Sequence, residues 1–537
     1  MASCWCGWRR PNEAVRARWL AVLLVSGACG GAVELVPRPL HLSLREGTLA
    51  SRRPLAVTLA PPSEAIRFAI ETLNRDLPAI RGASGPRLLA GLLGRPAIDR
   101  EIAARRLDPA EARKSEGYLL DVRPQGILAA ASTEAGLFYA IQTLRQLARK
   151  HGGTYSIPHL TAADSPALRH RGLSVDISRG PVLAEPAMRG LIETLAEFKM
   201  NLLTFYMEHV FPYDHAPLAA PATGLGAETF ARLADYARRH HIDLVPQQQM
   251  FGHLHHVLKV ESYTKMGERP HGSVLAPGDP GAEEWVGQAA RQLARVFPSP
   301  FLHIGCDETF ELGRGRSRER VAREGFEAVY LAHLKRVAEL LRPLNRRLMF
   351  WGDMALAHPA LLAALPKELI PMSWDYHPRQ EYASLVEPFR RHGFEFFVCP
   401  GVNNWQRIFP RIDAALANIG GFVEEGKRAG ALGMLNTHWN DGGEGLLNLT
   451  WYPVVFSAAA AWQREPVEEG AFAASFDWVF HRAGSPSVAR IVDRFRQAGA
   501  LLAQAGFDGA ATHLFWEDPF SAAGARSMNP ESSYPAL

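Results

Sequence analysis

The stretch His303-Ile304-Gly305-Cys306-Asp307-Glu308 sets two adjacent carboxylates directly after a short apolar run that reads as a buried strand. One ionised carboxylate disfavours ionisation of its neighbour, so such a pair can keep one proton near neutral pH beside one anion. An acid next to an anion suits the cleavage of glycosidic bonds, where the leaving oxygen takes a proton while positive charge develops on the sugar ring. An Asp-Glu step can also do no more than open a helix, where acidic side chains favour the positive end of the dipole. The residues around the pair decide between the two.

Those residues are positioned by a repeating pattern. After Asp164-Ser165-Pro166 the chain settles into a beat of apolar strand, polar loop and amphipathic helix, which predicts parallel strands with helical crossovers. Eight strands are expected, at residues 172–178, 201–207, 243–248, 301–307, 347–353, 370–376, 395–400 and 431–439. The helix after the fourth keeps Phe326, Tyr330, Leu334, Val337 and Leu341 on one apolar stripe. Eight such units over roughly three hundred residues fit a closed (β/α)8 TIM barrel, whose active site lies at the C-terminal ends of its strands. Asp176, Arg179, Glu208, His253, Asp307, Glu308, Trp351, Asp353, Trp374, Tyr376, Asn403, Trp405, Trp439, Asp441 and Glu444 all fall at those ends. Strand alternation would turn Asp307 to the side of His303 and Gly305, and Cys306 toward the helices.

Trp351, Trp374, Trp405 and Trp439 offer flat apolar walls for the C–H faces of a pyranose, although any single Trp can equally be core packing. The cluster Gly252-His253-Leu254-His255-His256 lacks the His-Glu-x-x-His spacing of zinc helices. No metal and no cofactor is therefore expected. His253 is read as a hydrogen-bond partner for a catalytic carboxylate or a sugar hydroxyl, and His255 and His256 as loop residues.

The 537 residues are 47% hydrophobic with a formal net charge of +4. Such a chain can bury a large core, and without a basic run past the N-terminus it gives no reason to expect a nucleic-acid partner. Arg9, Arg10, Arg16 and Arg18 precede the apolar run Trp19 to Val25 and the small residues up to Ala32, the layout of an export signal over residues 1–32. The apolar stretch is too short to span a bilayer, so a periplasmic or extracellular protein with no membrane span is expected, with Cys29 as an alternative lipid-attachment point. Only Cys306 and Cys399 lie beyond that segment, so no disulfide framework is expected. Residues 33–165 read as a smaller α+β domain in which the helix from Ala135 shows Leu137, Ile141, Leu144 and Leu147 on one face. The barrel is expected over 166–480. A helical extension near 488–505 and a loose tail from Ser527 occupy 481–537.

These residues together resemble the family 20 glycoside hydrolases, the β-N-acetylhexosaminidases. The likeness runs through Glu134-Ala135-Gly136-Leu137-Phe138-Tyr139 in the first domain, His170-Arg171-Gly172-Leu173-Ser174-Val175-Asp176-Ile177-Ser178-Arg179 at the barrel's start, and the His-x-Gly-x-Asp-Glu motif at 303–308. The resemblance implies a retaining mechanism in which the substrate's own 2-acetamido group is the nucleophile. It implies Glu308 as acid and base, and Asp307 as the group that orients the acetamido nitrogen. It also implies Arg171 as the arginine on the sugar hydroxyls, Trp351, Trp374 and Trp439 as the aromatic pocket, Glu208 where the family commonly has Asp, and His253 as its loop histidine. The family's Tyr-x-Asp after the seventh strand is missing: Pro400-Gly401-Val402-Asn403-Asn404-Trp405 stands there. Tyr376 or an Asn side chain is expected to replace the tyrosine, and Asp441, with Glu444 behind it, to meet a sugar hydroxyl. Two other readings stay open: a glycan-binding barrel without turnover, and a hydrolase of sugars lacking the acetamido group that would use Asp441 or Asp353 as nucleophile.

Overall fold

The computed structural model describes residues 33–441, 445–484 and 487–504. Residues 1–32, where an export signal and Cys29 were expected, Glu444, and the tail from Ser527 lie outside the described residues. Eight strands come first: β1 (His41–Ser51), β2 (Leu55–Ala60), β3 (Ala79–Ile80), β4 (Arg87–Leu92), β5 (Tyr118–Arg123), β6 (Gly126–Ala131), β7 (Arg149–His151) and β8 (Thr154–Asp164). They form one mixed sheet in the order β1-β8-β5-β6-β4-β2-β3, with β7 on β8.

The helix Glu134–Leu147 begins at Thr133, whose hydroxyl accepts the Gly136 N–H. One apolar face was expected of it, yet every residue from Gly136 to Leu147 is buried. Its polar residues serve partners from elsewhere in the chain: Arg145 pairs with Asp76 at 2.7 Å and Glu197 at 3.3 Å, and Gln146 exchanges two hydrogen bonds with the Val36 backbone. The helix is packed between its own sheet and the barrel, so both sides must be satisfied.

Eight further strands close the barrel: β9 (His170–Asp176), β10 (Leu202–Met207), β11 (Asp243–Gln248), β12 (Phe301–His303), β13 (Arg347–Trp351), β14 (Ile370–Trp374), β15 (Phe397–Cys399) and β16 (Gly433–His438). All pairings are parallel, and β16 returns to β9 with Leu435 opposite Gly172. Leu202, Val245, Phe301, Met349, Ile370, Met372, Phe397 and Leu435 fill the interior. Helices such as Phe326–Leu341, which buries Tyr330, Leu334, Val337 and Leu341, cover the outside. Cys306 and Cys399 are free and buried. Among the described residues no helix is long and apolar enough to cross a membrane.

Two expectations fail here. The fourth barrel strand ends at His303, not Asp307, because Gly305 and Cys306 adopt φ of +68° and +75° and leave the extended region. Arg171, expected on sugar hydroxyls, sits at the N-terminal end of β9 with 0% exposure. Its Nη1 donates to Glu116 Oε2 at 2.9 Å and to the Leu168 carbonyl at 2.9 Å, its Nε donates to the Lys199 carbonyl, and its guanidinium lies 4.9 Å from the Trp462 ring. It clasps the first domain to the foot of the barrel, one strand length from the functional end.

Burial opposes ionisation of Glu116, and Arg171 with Asn201 overcomes it, holding this carboxyl below the usual range. A folded-state pKa lowered in this way contributes stability above the unfolded value that is lost as pH falls through the folded one. Glu116→Ala should cost about 3–5 kcal/mol of stability, the range for breaking a buried pair. The loss relative to the native chain should shrink at acid pH, as denaturant titrations at neutral and acid pH will read.

Candidate active site

The catalytic end is built by the irregular segment that follows β12. Ile304 N–H donates to Met349 and Trp351 N–H to Gly305, so the backbone stays bonded to β13 while the chain turns. Gly305 cannot carry a side chain: a Cβ there would lie 1.8 Å from Gln249 Oε1. Cys306 and Glu308 (φ +47°) follow in left-handed conformations, and His253 on the loop after β11 has φ +55°. Strained backbone of this kind persists where the surrounding structure over-determines it. The result is that both carboxylates reach one atom, with Asp307 Oδ2 at 3.2 Å and Glu308 Oε2 at 3.4 Å from His253 Nε2.

Asp307 is 8% exposed, whereas the Glu308 side chain is 40% exposed. Burial pushes the Asp307 carboxyl up, but the His253 charge and the hydrogen bonds from His253 and Gln249 hold it below the ordinary range. Burial likewise opposes the imidazolium of His253, and Asp307 and Glu308 overcome it, carrying its pKa to about 11. At neutral pH the centre is therefore an anion beside an imidazolium. Close to Asp307 a carboxyl from a neighbouring strand also keeps its proton. Asp353, after β13, is pushed up to about 8 by burial and then by the charge of Asp307, and its Oδ2 accepts the Glu308 N–H at 3.3 Å. No sequence spacing links Asp353 to Asp307, and only the β12–β13 pairing brings them together.

A second group of charges faces the pair. Arg179, at the C-terminal end of β9, donates to Asp176 at 2.7 Å, pairs with Asp441, and lies 3.8 Å from Glu208. Its guanidinium sits 5.0 Å from the rings of both Tyr206 and Trp439. Arg179 is thus the arginine at the mouth, in place of Arg171. The sequence held the signal, since the two lie at opposite ends of one strand and only the C-terminal end carries chemistry. Glu208 accepts the Tyr206 hydroxyl at 2.9 Å, and burial, opposed by Arg179 and His253, moves its pKa to about 7. Burial also raises Asp441.

The aromatic wall is continuous. Trp439 Nε1 donates to Tyr376 Oη at 2.8 Å, Tyr376 stacks on Trp374 at 5.1 Å, and Trp405 leans on it at 4.9 Å. Trp351 is 1% exposed, wedged between His303 at 4.5 Å and Trp439 at 5.8 Å, and belongs to the floor beneath the mouth. Asn404 Nδ2 donates to the Trp439 carbonyl at 2.6 Å, and Asn403 Nδ2 to the Tyr376 carbonyl at 3.2 Å. These amides hold the wall in place, with the Tyr376 hydroxyl set within it beside Trp439.

Glu208, His209 and His256 bring three possible metal-ligating atoms within 4.8 Å of one another. The two imidazoles, however, lie face to face at 4.3 Å with planes 20° apart, so their in-plane lone pairs do not converge, and Lys259 donates to His256 at 2.9 Å. The cluster reads as a stacked neutral pair, with His209 lowered to about 4 by burial.

Residues 32–165 match the family description "Glycosyl hydrolase family 20, domain 2", and residues 223–402 match "Glycosyl hydrolase family 20, catalytic domain". The chain belongs to glycoside hydrolase family 20. It is 26% identical over 326 residues to a β-hexosaminidase of Vibrio furnissii, covering 53% of this chain and 51% of that protein. It is 25% identical over 358 residues to a β-N-acetylhexosaminidase of Cellulomonas fimi, covering 60% and 66%. The chain thus spans about half to two thirds of the length of these curated relatives. In fold it resembles the crystal structure of a β-N-acetylhexosaminidase from Bacteroides fragilis, with a TM-score of 0.67, 18% identity, and coverage of 84% of this chain and 96% of that one.

In this family 20 chain the raised Asp353 has a readable consequence. An acid whose folded pKa lies above its unfolded value loses stability as pH rises from the unfolded pKa to the folded one. Asp353→Asn keeps the shape and the acceptor for Glu308 N–H. The stability of the native chain relative to this variant should therefore fall between about pH 4 and pH 8, read as thermal midpoints across that range. A flat difference would contradict the assigned protonation.

Proposed function

We propose that this family 20 chain is an exo-acting, retaining β-N-acetylhexosaminidase that removes a terminal N-acetyl-hexosamine from glycans. The observation that carries the reading is the meeting of Asp307 and Glu308 at His253 Nε2, with one carboxylate buried and anionic and the other open to the mouth. In the proposed reaction Glu308 protonates the leaving oxygen while the substrate's acetamido oxygen attacks the anomeric carbon. Asp307 accepts the acetamido N–H and balances the oxazolinium charge. Glu308 then takes a proton from the water that opens the ring. Tyr376, whose oxygen accepts from Trp439, is the hydroxyl that would turn to the acetamido oxygen. Arg179, Glu208 and Asp441 supply partners for sugar hydroxyls, and Trp374, Trp405 and Trp439 the apolar faces.

The other two readings find less support. Asp353 is held protonated and turned to the Glu308 backbone, and Asp441 is tied to Arg179, so neither is placed as a free nucleophile. Export of the protein, read from residues 1–32, belongs to the same proposal and is tested by fusing that segment to a periplasmic reporter.

Glu308→Gln and Asp307→Asn should each lower turnover of an aryl N-acetyl-β-glucosaminide by roughly two orders of magnitude or more. Unimpaired activity in either would defeat the assignment. Tyr376→Phe should cost about three- to tenfold in kcat/KM, the worth of one neutral hydrogen bond. A thiazoline mimic of the oxazoline should inhibit the native chain, and aryl glucosides lacking the acetamido group should not be hydrolysed.

A further inference from the structure

Gln249 follows β11 directly and is fully buried. Its Oε1 accepts the Cys306 N–H at 3.2 Å, which settles the orientation of the amide, since that oxygen cannot face a donor and an acceptor at once. Both amide protons are then committed: Nε2 lies 2.9 Å from Asp307 Oδ1 and 3.2 Å from the Tyr206 hydroxyl. Having accepted from Gln249, Tyr206 turns its own proton to Glu208 Oε1 at 2.9 Å. The direction of every hydrogen bond along Asp307, Gln249, Tyr206 and Glu208 follows from one backbone N–H. With His253 on Oδ2, Asp307 meets donors at both oxygens.

We propose that Gln249 is the positioning residue of Asp307, fixing the carboxylate plane and its acceptor-only state through one amide proton while the other sets Tyr206 and Glu208 for the sugar. The role rests on the functional reading above, and Gln249 itself touches no reacting atom. Its neutrality is part of the role. A carboxylate in its place would set a second negative charge beside Asp307, whereas an apolar side chain would leave Asp307 free to turn. The absence of a Cβ at Gly305 is complementary, because the amide crosses the space that a side chain would fill.

The titratable groups facing Asp307 bound what a pH profile can report. They are His253, Glu308 and Asp353, His303 on β12, the phenols of Tyr206, Tyr330 and Tyr376, the Cys306 thiol, and, reached from Gln249 through Tyr206, Glu208 with its pKa of about 7. Burial holds the phenols and the thiol protonated well above neutral pH and His303 neutral down to about 3.

The test is the pH dependence of kcat and KM on an aryl N-acetyl-β-glucosaminide for the native chain, Gln249→Glu and Gln249→Met. A glutamate at this position can donate to Asp307 only while it carries a proton shared with Asp307. Gln249→Glu should therefore keep activity at acid pH and lose it on the alkaline side at a lower pH than the native chain. Gln249→Met, uncharged and similar in volume, should lose roughly ten- to a hundredfold in kcat at every pH, with KM little changed. This variant carries the test if the glutamate does not fold. Variants with native kcat and native limbs would overturn the role, as would a uniform loss in Gln249→Glu with its limbs unmoved, which would mean that the amide only fills space. A native chain that hydrolyses no N-acetyl-hexosaminide would overturn the functional reading and this role with it, whereas an active native chain with indifferent variants would overturn this role alone.

Discussion

The site depends on one nitrogen. His253 Nε2 serves Asp307 and Glu308 together, and in a partly desolvated mouth that arrangement is stable only if the imidazole is charged. The shared cation lets two carboxyl groups stand side by side. It also divides them: Asp307 is buried against the imidazolium and Gln249, and Glu308 extends toward solvent. The unequal surroundings separate two chemically similar groups, and in the proposed reaction one holds charge and the other moves protons.

The fold contributes rigidity at the point where the backbone is least regular. The four residues after Ile304 include three in left-handed conformations, free of cost for Gly305 but costly for Cys306 and Glu308. They are held by bonds to β13, by the Tyr330 hydroxyl on the Cys306 carbonyl, and by Gln249 passing over Gly305. A regular strand would alternate Asp307 and Glu308 to opposite faces. Leaving the strand early is what lets consecutive residues act on one ligand.

Away from the mouth, buried charge is used for assembly. Arg171 at the foot of the barrel joins Glu116, three backbone carbonyls and the Trp462 ring, and Arg145 joins Asp76 and Glu197. Both arginines lie where the smaller domain meets the barrel. Ion pairs buried there favour one docking arrangement over its neighbours, because any displacement would strand a charge in a low-dielectric contact. Arg179 makes a comparable set of pairs but leaves part of its guanidinium accessible at the strand ends, and that difference in exposure separates a clasp from a binding group.

The eight-unit barrel was legible in the sequence because apolar periodicity is a local property, repeated at each strand and helix. So were Asp307, Glu308, His253 and Trp439, whose types and places at strand ends mark them for chemistry. The choice between Arg171 and Arg179 was also open to that rule, and likeness to a family motif favoured the wrong one. Other features came only with the tertiary structure: Asp353 as the protonated neighbour of Asp307, Gln249 crossing Gly305, Trp351 as floor rather than wall, and the helix Glu134–Leu147 covered on both sides. Each depends on which distant segment packs alongside. Protonation, burial and hydrogen-bond direction are set by neighbours in space, which the spacing of residues along the chain does not encode.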